Sequence, residues 1–190
     1  MNKVLLKKAL RLEYLTIAWN VIEGVLSILI GVMSGSVALI AYGLSSSVEV
    51  FTSGLVVWDL KGTNKDREKI SIRLIGCAYL IVALYIFIDA TMSIVSQKHP
   101  EASPLGILVL IASFIIMLIL GISKKRIAEK IQSHTFLAGA KFSLVDAGLS
   151  FTVMIGLLTN AVFGWWWMDQ SLALFLAGVA FSEGIGELLS

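Results

Sequence analysis

The feature that most constrains this chain is a succession of six apolar stretches, each about long enough to cross a lipid bilayer. A helix needs about 20 consecutive apolar residues to span the hydrocarbon core. Segments 12–33, 37–60, 70–95, 105–123, 136–163 and 165–188 approach or exceed that length. Inside a bilayer no water satisfies backbone N–H and C=O groups, so the chain must bond to itself. Each stretch is therefore predicted to be an α-helix. The connections between them are short: Ser34–Ser36, Lys61–Lys69, Gln97–Pro104 with both prolines, Lys124–Thr135, and a turn near Gly164.

Composition supports the same class. Of the 190 residues, 57% are hydrophobic and 15% charged, and the mean hydropathy is +0.89. Soluble domains carry about 25% charged residues. The expected fold is an all-α membrane protein, a six-transmembrane-helix bundle in the cell membrane. The single cysteine excludes a disulfide scaffold, and Cys77, in an apolar run, is expected to be a small buried hydrophobe. The basic N-terminus is not a signal peptide, because Glu13, Asn20 and Glu23 interrupt the apolar core and no A-x-A site follows. The chain ends at Ser190 soon after the sixth stretch, so residues 1–190 are read as a single transmembrane domain with no soluble C-terminal domain.

Orientation follows from the basic residues. Lys3, Lys7, Lys8 and Arg11 precede helix 1. Lys61, Lys65, Arg67 and Lys69 lie between helices 2 and 3, and Lys124, Lys125, Arg126 and Lys130 between 4 and 5. The other side has Lys98 alone. Both termini are expected in the cytoplasm. These charges read as orientation and lipid-headgroup contacts, with no nucleic-acid partner. Trp165–Trp167 and Trp58 read as interfacial aromatic belts.

Against this apolar background, polar residues at membrane depth stand out, since an ionisable group there is costly and marks a functional site by default. Counting helical rise, Glu23, Glu49 and Asp146 each lie about ten or eleven residues from the inner end of helices 1, 2 and 5. Three anions at one depth repel unless protonated or joined by a cation. Thr16, Asn20, Glu23 and Ser27 share one face of helix 1. Ser45 and Glu49 share one of helix 2. Lys141, one turn below Asp146, either snorkels inward or neutralises a carboxylate. Asp89 and Glu183 read as packing, gating or interfacial partners, and Asp169 as a helix N-terminal carboxylate. Small-residue spacings at Gly31/Gly35, Ser143/Ala147 and Gly178/Ser182/Gly186 permit close helix packing, the last also serving a dimer. His99 and His134 fall in predicted loops, so no histidine inside a span can pair with a serine, which excludes an intramembrane serine hydrolase.

SVALIAYGLSSSVEV in helix 2 resembles the second helix of the cation diffusion facilitator family of metal-ion transporters, which typically reads S-x-A-L-x-A-D-x-x-[HD]-x-x-x-D. AGAKFSLVDAGLS with the downstream GLLTNAVFGWWWMD is similar to the fifth helix and the entry to the sixth, and TIAWNVIEG to helix 1 of short bacterial relatives. The resemblance extends over nearly all of the chain. It implies a divalent-cation exporter working by alternating access, with no resident cofactor and with protons exchanged against the ion. The family builds its metal site from one [HD]-x-x-x-D pair on helix 2 and another on helix 5. Here those positions are Ser45 and Glu49, and Phe142 and Asp146, while Tyr42 replaces a further aspartate.

The implied ligands are Glu49 and Asp146, with Ser45, Glu23 and Asn20 as auxiliaries. This donor set is almost all oxygen, which suits Mn²⁺ or Mg²⁺, although carboxylates also bind Zn²⁺ and Fe²⁺. Family membership favours zinc; the ligands do not. A homodimer would rest on membrane helices alone. Two other readings stand beside this one: a proton-coupled exporter of small organic cations using the same acids, and a non-transporting relative acting as a membrane partner.

Overall fold

The computed structural model describes residues 3–34, 37–62, 65–97 and 103–189. Gly35, Lys98, His99 and Pro100 lie outside these, as do the side chains of Lys65, Trp166 and Asp169. Among the described residues six helices run in order: α1 (Lys3–Ser34), α2 (Val37–Leu60), α3 (Lys65–Val95), α4 (Pro104–Ile131), α5 (His134–Phe163) and α6 (Trp166–Leu189). By length and composition, four stretches of the described residues are apolar enough to cross a membrane: Lys3–Ser34, Arg67–Val95, Pro104–Ile131 and His134–Thr159.

The predicted elements all appear, but several run further than their apolar stretches. α1 begins nine residues before the expected span, and α4 continues eight residues past it, through KKRIAEKI. Lysine, arginine, glutamate and alanine are good helix formers, so loss of hydropathy ends a span without ending a helix. α4 stops instead at Gln132, which takes the left-handed conformation (φ 52°), leaving only Gln132 and Ser133 before α5. At its other end Ser103 caps α4, its hydroxyl accepting from the Gly106 N–H, with Pro104 at the first helical position. Gly164, with φ 68°, makes the turn into α6.

Neighbouring helices close a ring in the order α1, α2, α3, α6, α5, α4, with α2 also touching α5 across it. The pairs α1–α2, α4–α5 and α3–α6 are packed most intimately. Within α1–α2 the backbones themselves meet. A Cβ at Gly43 would lie 2.7 Å from the Gly24 carbonyl oxygen and 2.8 Å from Ile28 Cγ1. In α3–α6, Gly76 and Gly184 stand in the same relation, each Cβ position 3.1 Å from the other's carbonyl oxygen. Gly184, rather than the expected Gly178/Ser182/Gly186 stripe, packs α6. Those three residues are exposed, and nothing lies within 4 Å of a Cβ at Gly178 or Gly186.

The first helix is polar inside and apolar outside. On α1, Glu13, Thr16, Asn20, Glu23 and Ser27 are buried, whereas Val21, Ile22, Val25 and Leu29 are exposed. This inverts the soluble pattern and suits a lipid-facing surface. An apolar core, including Tyr79, Ile75, Val56 and Phe142, fills the side of the bundle where α3 meets α2 and α5. Cys77 is exposed, contrary to expectation, because the inward face of α3 passes through Ile75, Ala78, Tyr79 and Val82. Trp165 and Trp167 are exposed and stacked at 6.2 Å, and Trp58 is exposed beneath the Arg67 guanidinium, 5.0 Å from its ring centre.

Gly43→Ala is expected to force α1 from α2 and destabilise the protein by about 1–3 kcal/mol, as overpacking does. Gly54→Ala, with open space at its Cβ, is the matched control. Thermal unfolding of the purified protein, followed by size-exclusion chromatography, compares them; equal midpoints would contradict the backbone contact.

Candidate metal centre

Four helices bring buried oxygen atoms together at the centre of the ring. α1 supplies Glu23 because the spacing 13, 16, 20, 23, 27 holds one face toward its neighbours, and all five residues are buried. α2 supplies Tyr42, Ser46 and Glu49; α4 supplies Ser113; α5 supplies Ser143, Asp146 and Ser150. Glu23, Glu49 and Asp146, expected at one depth, are all buried.

The side chains fall into two adjoining groups. In the first, Glu23 and Asp146 converge on one hydroxyl. Tyr42 Oη lies 3.3 Å from Glu23 Oε1, 3.3 Å from Asp146 Oδ2 and 2.7 Å from Ser150 Oγ. Ser46 donates to Glu23 Oε1 at 3.0 Å, and Ser113 donates to Glu23 Oε2. Ser150 is also within 2.9 Å of the Asp146 carbonyl on its own helix. A phenol has one proton. Tyr42 therefore cannot donate to both carboxylates, and two carboxylates at one site call for a proton or a cation between them.

The second group is centred on Glu49. Ser143 donates to Glu49 Oε1 at 2.6 Å, and Lys124 Nζ donates to Ser143 Oγ at 3.0 Å. Lys124 also pairs with Glu13, Nζ to Oε2 at 3.0 Å, and both side chains are 0% exposed. Glu49 Oε2 has no hydrogen-bond partner, although the residue is buried. It is a buried carboxylate oxygen left unpaired beside that chain of donors.

The remaining sequence candidates are placed differently. Ser45 is buried, but its hydroxyl donates to the Tyr42 carbonyl of its own helix at 2.7 Å. Asn20 donates to the Thr16 carbonyl at 3.0 Å and lies 3.9 Å from Met117 Sδ, while its Oδ1 is unpartnered. Phe142, where the resemblance implies a ligand, packs against Tyr79 with the rings tilted at 53° and their centroids 4.7 Å apart. Lys141 does not neutralise Asp146; it pairs with Glu183 at 3.0 Å and Glu187 at 3.1 Å, on a partly exposed face between α5 and α6. That assigns Glu183 a packing role. Among the described residues, no three His, Cys, Asp or Glu side chains stand close enough together to hold one ion.

Sequence reasoning missed Glu13 and Lys124. Glu13 continues the polar stripe of α1 by one step. Lys124 had been read as a loop charge, yet it lies on the buried face 106, 110, 113, 117, 120, 124, 128 of α4. Extending that periodicity past the last apolar residue would have found it.

The chain was compared with known proteins. The model of the cation efflux transmembrane domain matches residues 14–190. Similar proteins include Transmembrane protein 163 of Xenopus laevis, 24% identical over 191 residues (96% of this chain, 67% of that protein). Manganese efflux system protein MneS of Bacillus subtilis (strain 168) is 26% identical over 182 residues (90% and 62%). Magnetosome protein MamB of Magnetospira sp. (strain QH-2) is 25% identical over 160 residues (78% and 53%). The chain thus spans between 53% and 67% of the lengths of these relatives. A family match over nearly the whole chain joins the helix 2 and helix 5 motifs and the apolar exterior: this is a membrane protein that belongs to the cation efflux family.

Proposed function

We propose that the chain exports a divalent metal cation by alternating access, with the ion held between Glu23, Glu49 and Asp146. The observation that carries this reading is the convergence of Glu23 and Asp146 on the single Tyr42 hydroxyl, beside the unpartnered Glu49 Oε2. A cation supplies the positive charge that this arrangement lacks. Among the described residues no trio of acidic side chains is yet close enough to share the ion. In this reading, loading draws Glu49 toward the Glu23–Asp146 pair. Ser45 and Asn20 act as auxiliary ligands after turning from their own backbones.

Carboxylate and hydroxyl donors without sulfur or imidazole favour a hard ion, Mn²⁺ before Zn²⁺. The relative named as a manganese efflux protein supports that order. Carboxylates that release protons on taking up metal make proton antiport the natural coupling. All six helices span the bilayer in this reading, with both termini cytoplasmic. Residues 1–190 act as one membrane domain, and two copies associate through membrane helices.

Proteoliposomes loaded with a pH-sensitive dye and a Mn²⁺ indicator test this. Glu49→Gln, Asp146→Asn and Glu23→Gln are each expected to abolish Mn²⁺ entry, and wild-type flux in all three would overturn the site. Under antiport, entering Mn²⁺ is matched by departing protons, so the interior becomes more alkaline. Metal entry at constant internal pH would remove the coupling and leave the site. Competition by small organic cations separates the alternative cargo.

Tyr42→Phe keeps the ring and removes the hydroxyl. Leaving a buried group without its partner costs about 1–3 kcal/mol, so Mn²⁺ flux is expected to fall about tenfold without being abolished. Unchanged flux would show that the hydroxyl takes no part.

A further inference from the structure

A cation site does not ask for a buried ammonium, and Lys124 is one. A fully buried ammonium costs several kcal/mol in desolvation, and a buried ion pair is often no more stable than an apolar pair of similar volume. Its neighbours in sequence, Lys125, Arg126 and Lys130, are all exposed. If Lys124 only balanced Glu13, two apolar residues would serve the fold as well. What the pair adds is a connection to Glu49.

That connection has a direction. Lys124 donates to Ser143 Oγ, and an ammonium offers only donors. Ser143 has one proton, with Glu49 Oε1 at 2.6 Å and the Gly139 carbonyl at 3.2 Å as its acceptors. The shorter contact, to a carboxylate, is the stronger. The chain of donation therefore runs from Lys124 through Ser143 to Glu49 Oε1 and leaves Oε2 as the free oxygen. Glu13 holds the ammonium from the other side, at 3.0 Å.

We infer that Lys124 is a resident counter-cation and a positioning residue: anchored by Glu13, it acts through Ser143 to present Glu49 by one oxygen and weakens the site's hold on a divalent ion, so that cargo can leave. This rests on the cation-transport reading above. Glu13 and Lys124 then have opposite effects on affinity. Without Lys124, nothing opposes the incoming ion. Without Glu13, the full charge of Lys124 opposes it. A pair needed only for packing would affect both variants alike.

The test is Mn²⁺ binding, by isothermal titration, to the full chain in nanodiscs. Lys124→Gln is expected to bind Mn²⁺ about tenfold more tightly than wild type, and Glu13→Gln about tenfold more weakly, as Coulomb interactions one hydroxyl away imply. Slower Mn²⁺ release from Lys124→Gln in stopped-flow should accompany the tighter binding. Where Lys124→Gln does not accumulate, Glu13→Gln/Lys124→Gln replaces it. This double variant lacks both charges and should bind at least tenfold more tightly than Glu13→Gln alone. Shifts of the same sign in the two single variants, or equal affinity of the double variant and Glu13→Gln, would overturn the inference while wild-type binding upholds the reading beneath it. Absence of Mn²⁺, Zn²⁺ and Fe²⁺ binding to wild type would overturn both.

Discussion

A charged or hydrogen-bonding side chain at bilayer depth cannot be satisfied by lipid, and this constraint organises the whole molecule. Each of the central helices carries such groups, so each must turn the same face inward. On α1 that face is Glu13, Thr16, Asn20, Glu23 and Ser27; on α4 it includes Ser113 and Lys124. Apolar residues are left to face outward, where they suit lipid. The inward polar faces of α1, α2, α4 and α5 then meet one another, and the candidate cation site is where they meet.

The same constraint explains how the two polar groups differ. Around Tyr42 the donors to the two carboxylates are neutral hydroxyls: Ser46 and Ser113 donate to Glu23, and one phenolic proton stands among Glu23, Asp146 and Ser150. Around Glu49 a cation is already built in, because Lys124 supplies both charge and donors. One group calls for a positive charge and the other carries its own. A transporter needs both tendencies, since an ion held too well is never released.

Much of this was legible in the sequence. The bounds of α2 follow its apolar stretch, and the polar stripe of α1 is buried as its spacing implies. Counting residues along three helices puts Glu23, Glu49 and Asp146 at one depth, and the cost of an ionisable group facing lipid accounts for their burial. What the sequence did not reveal depends on atoms that meet across helices. Lys141 had two plausible directions, and only the nearness of Glu183 and Glu187 decides between them. Lys124 was hidden because a hydropathy reading ends a helix at its first charges. The packing glycine of α6 is Gly184, matched to Gly76 on a helix distant in sequence; no spacing within α6 announces it.

The contact between Gly24 and Gly43 has a mechanical consequence. Where two backbones touch, there is no layer of side chains to deform, so α1 and α2 resist sliding and move as a single strut. Gly76 and Gly184 couple α3 to α6 in the same way. Polar bonds join the struts: Ser113 to Glu23, Lys124 to Glu13, Tyr42 to Asp146 and Ser143 to Glu49 cross from α1–α2 to α4–α5, while Ser46 bonds Glu23 within α1–α2. Hydrogen bonds can exchange partners without opening a void, which interlocked backbones cannot. In the transport cycle proposed above, the seam crossed by these polar bonds is the surface on which the cargo would sit, so that loading the ion and shifting the struts would be one event.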